Sequence, residues 1–230
     1  MNIKENVINV FEIVKESAKK SGRRFEDIIV LAASKTQPPE KLLEAYKSGI
    51  RYFGENKVQE GIKKIEILQS KMPHAHWHLI GGLQTNKAKY AVRFFELIHS
   101  LDRVSLADEI NKRAEKEDKI QNVLIEVNIG EESSKYGVSP KDLKRLFEYS
   151  LEKKNLKILG LMCIPPYFED KEKVRPYFIK LRQLKEELER EFNISLPHLS
   201  MGMSHDFDVA IEEGATIVRI GTAIFGERKY

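Results

Sequence analysis

The chain has 230 residues, 41% hydrophobic and 32% charged, with a net charge of only +4. That length can bury a full core. Basic and acidic residues are interleaved along the chain, which argues against a dedicated nucleic-acid or membrane surface. One cysteine, Cys163, excludes an internal disulfide and a four-cysteine zinc site.

The N-terminus, residues 2–20, reads as a mixed-charge amphipathic helix with Ile3, Val7, Val10, Ile13 and Val14 on one stripe. It lacks the unbroken apolar core of a signal peptide, and no run is long enough to span a bilayer, so a cytoplasmic location is expected. β-type runs follow: IIVLAA (28–33), RYFGE (51–55), WHLIG (77–81), ELIHSL (96–101), NVLIEVNI (122–129), KILGLMCI (157–164), PHLSMG (197–202) and TIVRIG (216–221). Helical patterns separate them: 39–49, 56–71, 85–94, 104–117, 139–153, 174–192 and 205–214. Gly49 and Gly214 stand where helices should stop.

Eight β-runs alternating with helices predict an α/β fold, a single (β/α)8 TIM-type barrel. The last run is followed only by TAIFGERKY, so no eighth helix is expected at the C-terminus. The extra N-terminal helix is expected to cover that part of the ring. An open doubly wound sheet is the alternative. No Gly-rich dinucleotide fingerprint follows the first run, which counts against it.

In such a barrel all strand C-termini open on one face, and phosphate is often held after the seventh and eighth strands. The rule gathers Lys35 from ASKT (33–36), the Gly54-Glu55-Asn56 stretch, the loop from Ser200 to Ser204, and Arg219-Ile220-Gly221-Thr222. A lysine at a strand end, half out of an apolar core, is a candidate amine nucleophile, because burial disfavours its charged form. Alone it reads better as a snorkelling surface lysine. The two small, hydroxyl-bearing loops let backbone N–H groups approach an anion. Together these features point to a phosphorylated carbonyl ligand.

The stretch SMGMSHDFDVAIEEGATIVRIGTAIFG (200–226), with ASKT, FGENKVQE (53–60), HLIGGLQTNK (78–87), VNIGEESSKYG (127–137) and GLMCIPP (160–166), resembles the YggS/PROSC family of pyridoxal phosphate homeostasis proteins. The resemblance covers nearly the whole chain, 1–230, and implies one barrel related to the N-terminal domain of alanine racemase. It implies that pyridoxal 5'-phosphate (PLP) is held as a covalent imine with Lys35. It places Ser200, Gly221 and Thr222 on the phosphate, Arg219 by the pyridine nitrogen, and Asn56 by the ring or its phenolic oxygen. Met201 and Met203 would pack near ring and phosphate, or serve equally as core. Gly82, Thr85 and Lys57 depart from the family pattern, where a bulkier residue, a serine and an aromatic are expected.

PLP is the strongest electron sink when its ring nitrogen is protonated and paired with a carboxylate. Arginine is always charged and only donates, so it keeps that nitrogen unprotonated. The related racemases draw a second acid/base from another domain and subunit, and the sequence ends at Tyr230 without room for that domain. The resemblance therefore implies a carrier or regulator of PLP without established turnover, with apo PLP enzymes as possible recipients, and a monomer is expected. The alternatives are an amino-acid racemase or decarboxylase of the same fold, and a cofactor-free Schiff-base aldolase. His74, His76 and His78 alternate and could share a face, yet no carboxylate or cysteine in the pattern completes a metal site. Lys87 and Lys89 read as helix-surface charges, Cys163 as a small core residue, and 171–192 as a solvated outer helix.

Overall fold

A computed structural model describes residues 2–132 and 136–227. Ser133 to Lys135 of the VNIGEESSKYG motif and the last three residues lie outside the described residues. The strands are β1 (Ile29–Ala33), β2 (Tyr52–Glu55), β3 (His76–Leu79), β4 (Leu97–Leu101), β5 (Gln121–Val127), β6 (Leu156–Cys163), β7 (His198–Met203) and β8 (Ile217–Ile220). All pair in parallel and in sequence order, and β8 closes on β1, giving the expected barrel.

The helices are α1 (Ile3–Lys20), α2 (Pro39–Lys47), α3 (Val58–Leu68), α4 (Ala88–Phe94), α5 (Val104–Lys116), α6 (Pro140–Leu151), α7 (Arg175–Phe192), α8 (Phe207–Glu212) and α9 (Thr222–Phe225). Their starts follow local chemistry. Pro39 and Pro140 open α2 and α6, where a missing N–H costs nothing, and the Ser139 hydroxyl caps α6 by accepting from Asp142 N. α7 ends on Asn193 in the left-handed region. None of the described helices is long and apolar enough to cross a membrane.

Two apolar layers hold the barrel. Leu31, Ile80, Leu97, Leu124, Met162 and Ile217 fill its interior. A larger layer, including Ala32, Phe53, Leu79, Ile98, Ile125 and Leu199, packs the outer strand faces under the helices. The alternation of facing along each strand follows from the two-residue period of the pleat.

One expectation needs correction. The last strand is not bare: a single turn, α9, follows it, because Phe225 and Gly226 N–H groups return to Gly221 and Thr222 carbonyls. α9 is too short to cover the ring, and α1 does so. Ile3, Val7, Val10, Val14 and Ala18 are buried on its inner face, it packs on α8, α9 and α2, and Asn6 Nδ2 donates to the Ile224 carbonyl at 2.9 Å.

Candidate cofactor site at the barrel mouth

Lys35 lies two residues past the end of β1 at Ala33 and is half-buried. Its neighbours on both sides are pinned. Ser34 N–H donates to the Gly54 carbonyl at 2.9 Å, and Ser34 Oγ donates to Glu55 Oε1 at 2.6 Å. Thr36 sits in the left-handed region (φ 65°), an unfavourable place for a β-branched residue. It is held there by its N–H, which donates to Glu60 Oε1 at 2.6 Å. Lys64, buried on α3, ties these together: Nζ donates to the Ser34 carbonyl (2.8 Å), Glu55 Oε1 (2.8 Å) and Glu60 Oε1 (2.7 Å). Burial pushes the Glu55 carboxyl upward against the pull of Lys64. Burial also acts on Glu60, but hydrogen bonds from Lys64 and the Thr36 N–H outweigh it and hold Glu60 below its ordinary value.

Asn56 follows β2 and comes close to the next strand's end. A side chain at Gly81 would meet the Asn56 carbonyl oxygen at 2.4 Å, so only glycine admits this approach.

The β7 and β8 ends form the other side. Ser204 Oγ accepts from Gly221 N (3.1 Å) and Ala223 N (3.2 Å), gathering backbone donors at the start of α9. Lys35, Gly221 and Thr222 line one shallow pocket of about 40 Å³ with Ala33, Gln37 and Gly226.

Arg219 and Ser200 lie below this pocket, inside the barrel. Arg219 is 4% exposed; Nη1 donates to Ser200 Oγ at 2.6 Å and Nη2 to the Cys163 carbonyl at 2.8 Å. A guanidinium carries more N–H donors than these two acceptors use. Burial lowers the Arg219 pKa, with Glu126 and Asp206 among the groups opposing the shift. Ser200 is fully buried and shares its hydroxyl with His99 Nδ1 at 3.0 Å. Met201 points the opposite way, into the layer beneath the helices. The pleat thus brings Lys35, Gly221 and Thr222 to one pocket, sets Arg219 and Ser200 beneath it, and takes Met201 away from the mouth. Met203, at the end of β7, is 37% exposed.

The three alternating histidines do not converge. His76 Nδ1 meets Glu96 at 2.8 Å and its ring stacks on Tyr52, whereas His78 is buried and meets His99. Across the mouth, a cavity of about 190 Å³ is lined by Gly82, Leu83, Gln84, Asp102, Arg103 and Tyr136. Two of the departures from the family pattern shape it. Gly82 lies against the Tyr136 ring, and Thr85 Oγ1 accepts from Arg103 at 3.3 Å.

Glu126 is a residue the sequence reading passed over. It lies on the barrel-facing side of β5, two residues after Leu124, and is 5% exposed. Burial, reinforced by Asp102 and opposed by Arg219, pushes its carboxyl up to about 7. Its signal was a lone charge inside the apolar run NVLIEVNI. Ser204 and His99 were also passed over. His99 has the same signal in ELIHSL, and Ser204 stood in the right loop but was not separated from Ser200.

Comparison with known proteins agrees with this geometry. The family model for the N-terminal domain of alanine racemase matches residues 15–229. A pyridoxal phosphate homeostasis protein of Aquifex aeolicus is 58% identical over 230 residues, all of both chains. Among solved structures, a protein of unknown role from Bifidobacterium adolescentis superposes with a TM-score of 0.91 at 32% identity, covering 97% of this chain and 94% of the other. PipY of Synechococcus elongatus, solved with PLP bound, gives 0.82 at 34% identity, covering 93% and 100%. A family model matched over residues 15–229, full-length identity of this order and a closed parallel barrel place the chain in the family of pyridoxal phosphate homeostasis proteins, built on the alanine racemase N-terminal barrel.

Proposed function

We propose that this chain binds PLP through an imine with Lys35 Nζ and serves PLP homeostasis by holding and releasing the cofactor. The observation that carries the reading is the shared pocket of Lys35, Gly221 and Thr222 with a buried guanidinium beneath it. PLP supplies an aldehyde to which amines add and a ring that withdraws electrons.

The residues fit such a ligand. The N–H groups of Gly221 and Ala223, now returned to Ser204 Oγ, offer donors to a phosphate, as do the Ser204 and Thr222 hydroxyls. Within the family motif, this makes Ser204 the nearer serine to a phosphate and leaves Ser200 as the partner of Arg219. Unused Arg219 N–H donors suit an acceptor such as an unprotonated ring nitrogen. Asn56 stands at the neighbouring strand end. An always-charged donor at that nitrogen weakens the electron sink, which favours storage or delivery over turnover. Recipients would be apo PLP enzymes.

Borohydride reduction with and without added PLP, followed by mass analysis of the Lys35 peptide, tests the reading. The expected result is a reduced adduct of the mass of PLP on Lys35, and loss of the visible absorbance in Lys35→Ala. A protein that stays colourless and untrapped with excess PLP would remove it. Trapping of a sugar phosphate without PLP would point to an aldolase.

Glu126 favours a second reading. A carboxyl that exchanges its proton near neutrality, on a strand opposite β1, could act on an amino acid's α-proton. Proton exchange from amino acids in deuterated water, lost in Glu126→Gln, would support weak amino-acid chemistry.

A further inference from the structure

Inside the barrel, four strands contribute to a line of polar side chains of which the binding reading uses only Arg219 at its head. Arg219 on β8 donates to Ser200 on β7. Ser200 meets His99 on β4 across the barrel, and His99 Nε2 meets His78 Nδ1 on β3 at 3.1 Å. Ser200, His78, His99 and Arg219 are 0%, 4%, 0% and 4% exposed, so no member has bulk water as an alternative partner.

The proton positions follow from chemistry. A guanidinium only donates, so Ser200 Oγ accepts from it. The Ser200 hydroxyl hydrogen then needs an acceptor. His99 Nδ1 is its other neighbour, and leaving that hydrogen buried and unmade costs about 1–3 kcal/mol. His99 Nδ1 therefore accepts, its Nε2 carries the proton, and that proton is donated to His78 Nδ1. Both imidazoles are neutral and carry hydrogen on Nε2.

We infer that Ser200, His99 and His78 form a one-way hydrogen-bond chain whose task is to fix the Arg219 guanidinium, so that its unused donors point at the ligand in the mouth. Ser200 and His99 are positioning residues. The charged and titratable groups around the chain are Arg219, Cys163, Glu126 and Asp206 at its mouth end and Tyr52, His76 and His198 at the other. Burial first, then the cost of placing a second positive charge beside neighbouring histidines and, for His99, beside Arg219, keep both rings from charging: His78 falls to about 3 and His99 lies well below its ordinary value. A charged His99 would donate from both nitrogens, which would turn its bond to Ser200 around and set a second cation against Arg219.

The part of the inference concerning Arg219 and the ligand rests on the PLP reading; the chain itself does not. The first experiment therefore uses the full protein with no ligand added. Long-range proton–nitrogen spectra of ¹⁵N-histidine-labelled protein should show His99 and His78 as neutral Nε2–H tautomers at pH 7 and still uncharged at pH 5. An Nδ1–H tautomer at His99, or charging of either ring above pH 5.5, overturns the chain. The second experiment uses Ser200→Ala, His99→Leu and His99→Asn, the last keeping an acceptor where Nδ1 stood. With PLP bound, the wild-type absorbance should be flat from pH 6 to 8. Ser200→Ala and His99→Leu should acquire a pH-dependent spectrum and lose PLP about tenfold faster, with His99→Asn restoring most of the wild-type profile. Folded Ser200→Ala and His99→Leu proteins with wild-type profiles would overturn the positioning role. If PLP does not bind at all, the reading of the site fails while the tautomer spectra still decide the chain.

Discussion

Lys35 is held by residues that do not line its pocket. Its turn depends on Lys64 and Glu60, which tether the residues before and after it from α3. Lys64→Met should leave the Glu55 carboxylate buried without its counter-charge, a loss of about 3–5 kcal/mol. Glu60→Gln keeps the shape and weakens two charge-assisted hydrogen bonds, a loss of about 1–2 kcal/mol. Urea unfolding measures both. Because Glu60 holds Thr36 in its left-handed conformation, Glu60→Gln should also raise the PLP off-rate, whereas a surface change such as Glu66→Gln should leave it alone. Equal off-rates in the two variants would confine Glu60 to stability.

At the scale of elements, α1 does the work of a missing ring helix. It buries Ile3, Val7, Val10, Val14 and Ala18, at about 1.5–3 kcal/mol for each larger side chain fully buried. That total rivals the net stability of a whole domain, about 5–15 kcal/mol. Deleting residues 1–20 should abolish the cooperative thermal transition or lower its midpoint steeply; a truncation melting like the full chain would show that α9 and α8 suffice. The stripe on α1, except Ile13, which is 41% exposed, and the eight β-runs were legible because burial is periodic and local in sequence. The site was legible where strand ends declare themselves, as at Lys35, Gly221 and Thr222. It was blurred where SMGMS read as a loop: the pleat continues to Met203, so Ser200 turns in, Met201 turns out, and Ser204 arrives at the rim. Lys64 bracing Lys35, and His99 meeting Ser200 across 101 positions, required the closed barrel to bring them together.

For the whole molecule, the buried titratable groups set how stability depends on pH. Glu126, Glu55 and Asp206 all have carboxyls raised chiefly by burial. Each holds its proton in the fold after the unfolded chain has released it, so each contribution is full below the unfolded value and lost as pH rises through the folded one. For Glu126 that window runs from 4.5 to about 7, worth on the order of 3 kcal/mol. His78, His99 and His198 are lowered by burial, so the unfolded chain protonates first and stability is lost as pH falls below 6.5. The opposing slopes place maximum stability between about pH 6 and 7. Glu126→Gln removes the carboxyl slope alone. It should leave stability nearly unchanged at pH 5 and raise it at pH 8 by up to about 3 kcal/mol, read from urea midpoints at constant slope. An equal change at both pH values would mean that Glu126 is charged throughout, held by Arg219, and that the barrel mouth carries no proton to exchange near neutrality.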